Sequence, residues 1–367
     1  MKVDSVLFSP IKIGLVEIPN RFVRSATHDF MAHRDGSITE RQVLLYKHLA
    51  KGEVGLIITG HVYVNPQGKA SPYQTGVDED KAIKGLKKIT EVVHVYPSRI
   101  FLQLSHAGRQ TKPKLCQGTP LAPSAVYEPI FKVMPKEMSS EEIHQVIEDF
   151  ITASKRAKQA EFDGVQLHVA HGYLLSSFIS PHTNRRQDKW GGTLANRLQI
   201  VVEIIKGIKG SLGPEFPLIV KLNSQDFLPK GLKLEESVKI AIELEKEGID
   251  GIEVSGGTAE SGQGSVWKGL RSEDQEGYFV QNAARIKSAV TIPVFGLGGI
   301  RSFSMMEKFI NQGKVDLISM SRPFIRAPYL VKKFHEGKIK KSECISCNKC
   351  FNLRGISCAE LKKSKND

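Results

Sequence analysis

Two histidines and a tyrosine lie close together at His168, His171 and Tyr173, directly after a short apolar run at residues 164–167. The run is typical of a buried strand. Two imidazoles three residues apart can both donate hydrogen bonds to one anionic edge, and a phenol two residues further on can donate a proton beside it. Metal ligation and simple packing in a core are the other uses of such histidines. The spacing predicts one of these three arrangements.

The residues that follow carry a resemblance. Residues 180–197 read SPHTNRRQDKWGGTLANR, and they come after the HxxHxY pattern that starts at His168. Together they resemble the Old Yellow Enzyme family of FMN-dependent ene-reductases (NADH:flavin oxidoreductases), and the resemblance extends over residues 7–323. It implies an enzyme that passes hydride from NAD(P)H through flavin N5 to the C=C bond of an α,β-unsaturated carbonyl compound. In that reaction His168 and His171 hold the carbonyl oxygen and Tyr173 protonates the α-carbon.

The elements that must position these residues read as repeated βα units, because strand-like apolar runs alternate with helix-like segments about eight times. We therefore expect an α/β fold, a (β/α)8 TIM barrel over residues 1–335, with an N-terminal β-hairpin and a Cys-containing C-terminal tail over residues 336–367. The hairpin is predicted from residues 6–8 and 11–13. The predicted barrel strands are residues 22–26, 55–59, 100–104, 164–167, 218–222, 251–254, 292–296 and 317–320.

Helices are predicted between these strands. Ser139, followed by Glu141 and Glu142, has the form of an N-cap with an acidic first turn, and an amphipathic helix begins at Leu234. Residues 111–136 are rich in proline and have no period, so they predict a long loop. In such barrels the active-site groups lie just after the carboxyl ends of the strands, which is where the candidate residues fall.

The resemblance implies flavin contacts after the first three strands and on the fifth. At the position of His28 the family often has Thr or Cys, so its effect on the flavin is an open question, and a surface histidine is the alternative. The amide of Gln103 offers a donor and an acceptor together, which suits the flavin pyrimidine edge. The predicted contacts are Ser25, Ala26, Thr27, His28, Gly60, Gln103 and Lys221.

Lys221 places a cation where the interior of a barrel should be apolar. A lone buried lysine is costly, so it needs an anionic partner. Reduced flavin carries negative charge at its N1–C2 edge, and Lys221 matches the basic residue that the family has there. We therefore expect Lys221 to stabilise the reduced cofactor.

Glycines and an arginine after the last three strands predict a phosphate site. Barrels often bind phosphate there through glycine N–H groups, and an arginine can donate two hydrogen bonds to one phosphate. The length of this cradle suits the single phosphate of FMN. No GxGxxG motif opens a βαβ unit, so NAD(P)H is expected to enter over the flavin face. The predicted phosphate-end residues are Gly257, Gly298, Gly299, Ser321 and Arg322.

Four of the five cysteines cluster near the end of the sequence, while Cys116 stands alone. Their CxxCxxC start resembles the 2,4-dienoyl-CoA reductase branch of the family, although the later spacings are shorter. An iron–sulfur flavoprotein of that type, acting in an electron-transfer complex, is the alternative function. A 4Fe–4S cluster, a structural zinc and reduced thiols are equally open outcomes. The candidate ligands are Cys344, Cys347, Cys350 and Cys358.

Composition limits the partners. The net charge is +13, from 52 basic and 39 acidic residues, but the lysines are scattered as on a solvated surface, so no nucleic acid is expected. No apolar run approaches the roughly 20 residues of a membrane span and no leader is visible, so we expect a cytoplasmic protein without membrane contact. The expected partners are NAD(P)H and a small enone or enoyl substrate. A homo-oligomer is also expected; in some relatives a tail arginine reaches a neighbouring active site, for which Arg354 is the candidate, with plain surface charge as the alternative.

Overall fold

The computed structural model describes residues 2–353 and 355–363, so Arg354 lies outside the described residues. The strands are β1 (Ile11–Ile13), β2 (Val16–Ile18), β3 (Phe22–Arg24), β4 (Leu56–Ile58), β5 (Val62–Tyr63), β6 (Arg99–Ser105), β7 (Leu121–Ala122), β8 (Lys136–Glu137), β9 (Gly164–Val169), β10 (Leu218–Asn223), β11 (Gly251–Ser255), β12 (Val294–Gly296) and β13 (Leu317–Met320). The helices are α1 (Glu40–Lys51), α2 (Lys81–His94), α3 (Ser140–Gln159), α4 (Leu174–Ile179), α5 (Leu194–Leu212), α6 (Leu234–Lys246), α7 (Val280–Lys287), α8 (Phe303–Asn311), α9 (Arg322–Arg326), α10 (Leu330–His335) and α11 (Ala359–Lys363).

Eight parallel strands close into a barrel. The order around it is β3, β4, β6, β9, β10, β11, β12 and β13, and β13 pairs with β3 again. Each of the eight predicted strands overlaps one of these, so the (β/α)8 TIM barrel is confirmed. Strands β9, β10 and β11 are buried along their whole length, as expected for a parallel sheet that is covered by helices. The short strand β5 adds to the side of β6.

The two predicted helices are present. The Ser139 hydroxyl accepts a hydrogen bond from the Glu142 amide while the Glu142 carboxylate accepts one from the Ser139 amide, so α3 starts with a capping box. Its apolar side packs against α5 and the outer surface of the barrel, with Phe150 fully buried. Helix α6 begins at Leu234, as predicted. Apolar residues at helical spacing therefore cover the strands on which the candidate site is built.

One of the two strands predicted for the hairpin is wrong. Residues 6–8 form a 3-10 helix, and β1 pairs instead with β2, through a turn in which Gly14 has a φ of +55°. The alternation of apolar residues in β2 gives it one buried side chain, Ile18, which packs with Ile13 against the interior of the barrel. The hairpin thus closes the floor of the barrel, as expected, but with different residues.

The tail after α10 lies across the opposite end of the barrel, where the strands have their carboxyl ends. The Ser342 amide donates to the Arg301 carbonyl at 2.9 Å, and the Ile356 amide donates to the Asp29 carbonyl at 2.8 Å. Residues 343–353 and 355–358 have mostly irregular backbone, which is held by such single hydrogen bonds. Within the described part of the chain, none of the helices has the length and hydropathy that crossing a membrane requires.

Candidate active site

A cavity of about 270 Å³ opens at the carboxyl ends of the barrel strands. It collects most of the residues that the sequence pointed to, although they come from distant parts of the chain. Gly60 and Gly257 are not among the residues that line it. The predicted residues that do line it are Ser25, Ala26, Thr27, His28, Gln103, His168, His171, Tyr173, Lys221, Gly298, Gly299, Ser321 and Arg322.

A tight turn brings the histidines and the tyrosine together. His168 lies near the end of β9, and His171 and Gly172 follow with φ values of +63° and +80°. This left-handed pair reverses the chain, so that Tyr173 returns beside His168 with a ring centroid distance of 4.6 Å. The His168 and His171 rings are 5.2 Å apart. The Nε2 atom of His171 lies 2.7 Å from the Ser255 hydroxyl, which fixes the orientation of the ring.

Burial keeps these imidazoles neutral. It lowers the pKa of His171 to about 3, with Lys221 and His61 adding to the effect. The pKa of His168 is also held well below its usual value, by burial first and then by His171, His61 and Lys221. Burial raises the pKa of Tyr173 to about 12. At neutral pH the site therefore offers uncharged hydrogen-bond donors beside a protonated phenol.

His61 lines the cavity and was missed by the sequence analysis, which assigned the neighbouring Gly60 instead. Gln74 fixes the tautomer of His61: its Oε1 accepts from the Ala70 amide and its Nε2 donates to the His61 carbonyl, so that the same Nε2 must donate to His61 Nδ1 at 2.7 Å. The proton of His61 is then on Nε2. The His61 ring is 5.2 Å from that of Tyr173, and burial lowers its pKa to about 4.

The two predicted glycines that lie outside the cavity, Gly60 and Gly257, each make close contacts with neighbouring segments. The Gly60 amide donates to the Tyr46 hydroxyl at 3.0 Å, and a Cβ at Gly60 would lie 2.8 Å from the Thr27 carbonyl oxygen. Gly257 has a φ of +76° and packs against the turn at Gly264. Both therefore allow close backbone approach behind the wall of the cavity. His61 could have been predicted from its position in the sequence, because it directly follows a glycine at the end of a predicted strand.

His28 faces the cavity beside His61, with ring centroids 4.9 Å apart. Its Nε2 atom lies 2.5 Å from the Ser71 hydroxyl. Burial, and then His61, hold the pKa of His28 well below its usual value. His28 is therefore a partly buried neutral imidazole of the cavity wall.

Lys221 already has an anionic partner within the protein, which corrects the expectation of a lone lysine. Its Nζ lies 3.3 Å from Glu253 Oε2 and donates to the Ser25 hydroxyl at 2.8 Å. Gln166 Nε2 donates to the same Glu253 oxygen at 3.0 Å, and Gln103 Nε2 donates to Gln166 Oε1 at 2.7 Å. A continuous polar row therefore crosses the barrel beneath the cavity.

Strand register explains this row. Gln103 pairs with Gln166 between β6 and β9, and Lys221 pairs with both His168 on β9 and Glu253 on β11. In-register residues of parallel neighbours project to the same face, here the interior of the barrel. Glu253 was missed, although a glutamate inside an otherwise apolar predicted strand was a usable signal.

The phosphate end is formed by loops after β12 and β13. Gly298 and Gly299 have φ values of +124° and +71°, and a Cβ on Gly298 would lie 2.8 Å from the Tyr278 amide nitrogen. One amino group of Arg322 already donates to the Trp267 carbonyl at 2.8 Å. The buried side chain of Arg301, which the sequence analysis did not single out, also lines this end.

The residues of the cavity fit a flavin mononucleotide. Among the described residues that line it, buried polar atoms without a hydrogen-bond partner occur on His168, Ser319 and Arg301, and Arg301 Nε also lies 3.4 Å from Glu276 Oε1. Such atoms are costly when unsatisfied, so they favour a bound polar ligand. Arg301 lies at the glycine-rich end, while Gln103 and Lys221 lie at the barrel centre. This distribution matches an anionic group at one end and a ring with polar edges at the other.

The four tail cysteines do not form a comparable site. Within residues 2–353 and 355–363, no group of three or more His, Cys, Asp or Glu side chains is arranged to hold a metal ion. The thiols are still close enough to interact, because burial and the other three cysteines raise the pKa of Cys350 to about 11. An iron–sulfur cluster and a zinc ion therefore both stay predictions from the sequence.

Comparisons with known proteins show which family the chain is similar to. The sequence matches the NADH:flavin oxidoreductase / NADH oxidase family over residues 6–341. It is 40% identical over 345 residues to an NADH oxidase of Thermoanaerobacter brockii, covering 93% of this chain and 52% of that protein. It is 34% identical over 327 residues to an NADPH dehydrogenase of Bacillus subtilis (strain 168), covering 89% of this chain and 93% of that protein.

Among solved structures, a 2-naphthoyl-CoA reductase in complex with 2-naphthoyl-CoA superposes with a TM-score of 0.87 at 30% identity. The match covers 94% of this chain and 54% of that one. The chain therefore spans about half the length of the NADH oxidase and of the reductase, and nearly all of the dehydrogenase.

Proposed function

The chain belongs to the NADH:flavin oxidoreductase / NADH oxidase family, and on that premise we propose that it is an FMN-dependent ene-reductase. It takes hydride from NAD(P)H and reduces the C=C bond of an α,β-unsaturated carbonyl compound. The observation that carries this proposal is the contact between the neutral imidazole of His168 and the protonated phenol of Tyr173 at the cavity wall. A donor that polarises an oxygen and an acid that protonates carbon are the two protein groups the reaction needs.

The side chains have separate roles in this mechanism. FMN, when bound, supplies hydride transfer between the nicotinamide and the substrate. His168 and His171 donate hydrogen bonds to the carbonyl oxygen of the substrate, which lowers electron density at its β-carbon. Tyr173 Oη then gives its proton to the α-carbon. A phenol with a pKa of about 12 keeps that proton until a strongly basic carbon develops.

FMN would be held at both ends of the cavity. Gln103 and Lys221 line its centre, where they would face the polar edge of the ring, and Gly298, Gly299 and Arg322 line the other end, where they would hold the phosphate. The Lys221 ammonium would stabilise negative charge at the edge of the reduced ring. These residues would thus offer a donor or a cation to the anionic parts of the cofactor.

An anaerobic experiment in two half-reactions tests the proposal. The flavin content of the purified protein is measured first, and NADH or NADPH is then added without oxygen. We expect the flavin absorbance to bleach, and to return when 2-cyclohexenone is added, with saturated cyclohexanone as product. Cyclohexanone itself is the control oxidant and should leave the flavin reduced. Protein without flavin, or flavin that the enone does not reoxidise, would contradict the proposal.

A second substrate class has one observation in its favour, the structural similarity to 2-naphthoyl-CoA reductase. On this alternative the substrate is an unsaturated acyl thioester of coenzyme A. The test compares an enoyl-CoA with the same acyl group on N-acetylcysteamine, which lacks the nucleotide. A kcat/KM at least about tenfold higher for the CoA ester, about 1.4 kcal/mol of extra transition-state binding, would favour this class. Equal values would favour simple enones.

A further inference from the structure

Glu253 is a fully buried carboxylate for which the proposed reaction has no direct use. It lies on β11 beneath the cavity with a side-chain exposure of 0%. Its Oε2 lies 3.3 Å from Lys221 Nζ and accepts a hydrogen bond from Gln166. A charge buried this deeply is strongly unfavourable unless it is compensated. Its location beside the flavin-facing lysine suggests that it acts on the cofactor.

The carboxylate fixes the orientation of two side-chain amides, first that of Gln166 and through it that of Gln103. Ionised Glu253 can only accept, so Gln166 must direct its NH₂ group to it and its carbonyl oxygen to Gln103. Gln103 must then direct its NH₂ group to that oxygen. Its own carbonyl oxygen is left for the cavity, where an N–H donor of a ligand can bind. The flavin ring has one such N–H between two carbonyl groups.

The carboxylate also offsets the charge of Lys221. Burial acts to raise the pKa of Glu253, but Lys221 and several hydrogen bonds hold that pKa below its usual value, so the group is ionised. The buried pair is therefore close to neutral before any ligand binds. A lone Lys221 cation would attract an anionic reduced ring more strongly than the paired cation does.

We propose that Glu253 is a positioning residue that lowers the redox potential of the bound flavin, by offsetting the charge of Lys221 and by orienting Gln103. The inference rests on the proposed binding of FMN. A lower potential makes the reduced cofactor a stronger hydride donor to a C=C bond. It also limits how completely NAD(P)H reduces the enzyme.

The test is the midpoint potential of the protein-bound flavin, measured by anaerobic titration against a reference dye, in three variants. Glu253→Gln keeps the size of the side chain and removes its charge. We expect the equilibrium constant for two-electron reduction to rise at least about tenfold, which corresponds to about 30 mV. Lys221→Met should shift the potential in the opposite direction. The double variant should return close to the wild-type value, because it has the same net charge as the wild type.

Glu128→Gln is the matched control. Glu128 is another fully buried glutamate, but it lies in the long loop and does not line the cavity. Its replacement should leave the flavin potential unchanged. If Glu253→Gln does not fold, the comparison of Lys221→Met with the double variant gives the same information, since removal of Glu253 must again raise the potential.

Gln166→Met separates orientation from charge. It breaks the amide row and leaves the Lys221–Glu253 pair intact, so we expect weaker FMN binding with a smaller shift in potential than in Glu253→Gln. A potential that is unchanged or lowered in Glu253→Gln overturns the inference, as does an equal shift in Gln166→Met. Wild-type protein that binds no FMN would instead contradict the proposed function, so the two failures are distinguishable.

Discussion

The carboxyl ends of the barrel strands and the cysteine tail differ in what holds their side chains. At the strand ends, His168, Lys221 and Glu253 are neighbours because β9, β10 and β11 pair in register, and all three are buried. In the tail, Cys344 and Cys350 are buried, but their backbone is irregular and is held by isolated hydrogen bonds. Parallel pairing fixes the position of a side chain far more tightly than a loop does.

Strand register brings residues that are distant in sequence into one site, which spacing along the chain alone does not do. The strand-end residues are distant in sequence but close in space, whereas the cysteines are close in sequence without a ligand geometry in the described residues. We therefore expect substitutions at the strand ends to change function strongly and substitutions in the tail to change it weakly.

Tyr173→Phe is expected to have the largest effect. The variant loses the proton donor for the α-carbon, so we expect kcat for enone reduction to fall by about 10²- to 10⁴-fold. Flavin reduction by NAD(P)H does not use the phenol and should keep its rate, which is the internal control. Stopped-flow measurement gives the rates of the two half-reactions separately. Unchanged enone reduction would remove Tyr173 from the mechanism.

Arg322→Met should weaken FMN binding by about 10- to 100-fold, because a charge-assisted hydrogen bond contributes about 1.5–3 kcal/mol. The measurement is the dissociation constant from fluorescence titration of deflavinated protein. Arg326→Met is the matched control: Arg326 lies in the same helix α9, but binds Glu343 and does not line the cavity. An equal loss in both variants would indicate damage to the helix and not to a phosphate contact.

His61→Asn should change the response of stability to acid. Burial lowers the pKa of His61 to about 4, whereas the unfolded value is near 6.5. Between these pH values the unfolded chain binds a proton that the folded chain does not, so the free energy of unfolding falls as the pH falls. The variant should lose about 1.4 kcal/mol per pH unit of that dependence. Chemical denaturation at several pH values measures it.

His94→Asn is the control of opposite sign. Its hydrogen bond to Asp163 raises the pKa of His94, so the stability it contributes is present below pH 6.5 and is lost as the pH rises. Its removal should make the acid dependence of the free energy of unfolding steeper, not shallower. The same dependence in both variants would show that His61 is not buried in solution as described.

Cys347→Ser is expected to have the smallest effect. The side chain is partly exposed, so its replacement should change stability by less than about 0.5 kcal/mol and leave FMN content unchanged. Iron, acid-labile sulfide and zinc are assayed on the same anaerobic samples. Stoichiometric metal in the wild type that is lost in the variant, together with lost activity, would reverse the ranking and establish the tail as a metal site.

Much of the site could be predicted because its motif is local. The HxxHxY pattern and the segment that follows it identified the family, which the match over residues 6–341 confirms. Apolar runs located the eight strands, and the rule that barrel sites lie at the carboxyl ends located the cavity. His61 and Glu253 were missed because their roles depend on neighbours from other strands. The strand partner of β1 was predicted wrongly because short segments with apolar residues lie on both sides of it, at residues 6–8 and 16–18.

The sequence by itself determined the fold class, the positions of the eight barrel strands, the starts of two helices and the groups able to polarise an oxygen and donate a proton. These follow from periodicity and side-chain chemistry, which are local properties of the chain. Only the tertiary structure decided which charges meet. The pairing of Lys221 with Glu253 and the tautomer of His61 require the register of strands and contacts across the barrel. Electrostatic energy in a buried site depends on distances of a few ångströms between residues far apart in sequence, and no local pattern encodes such distances.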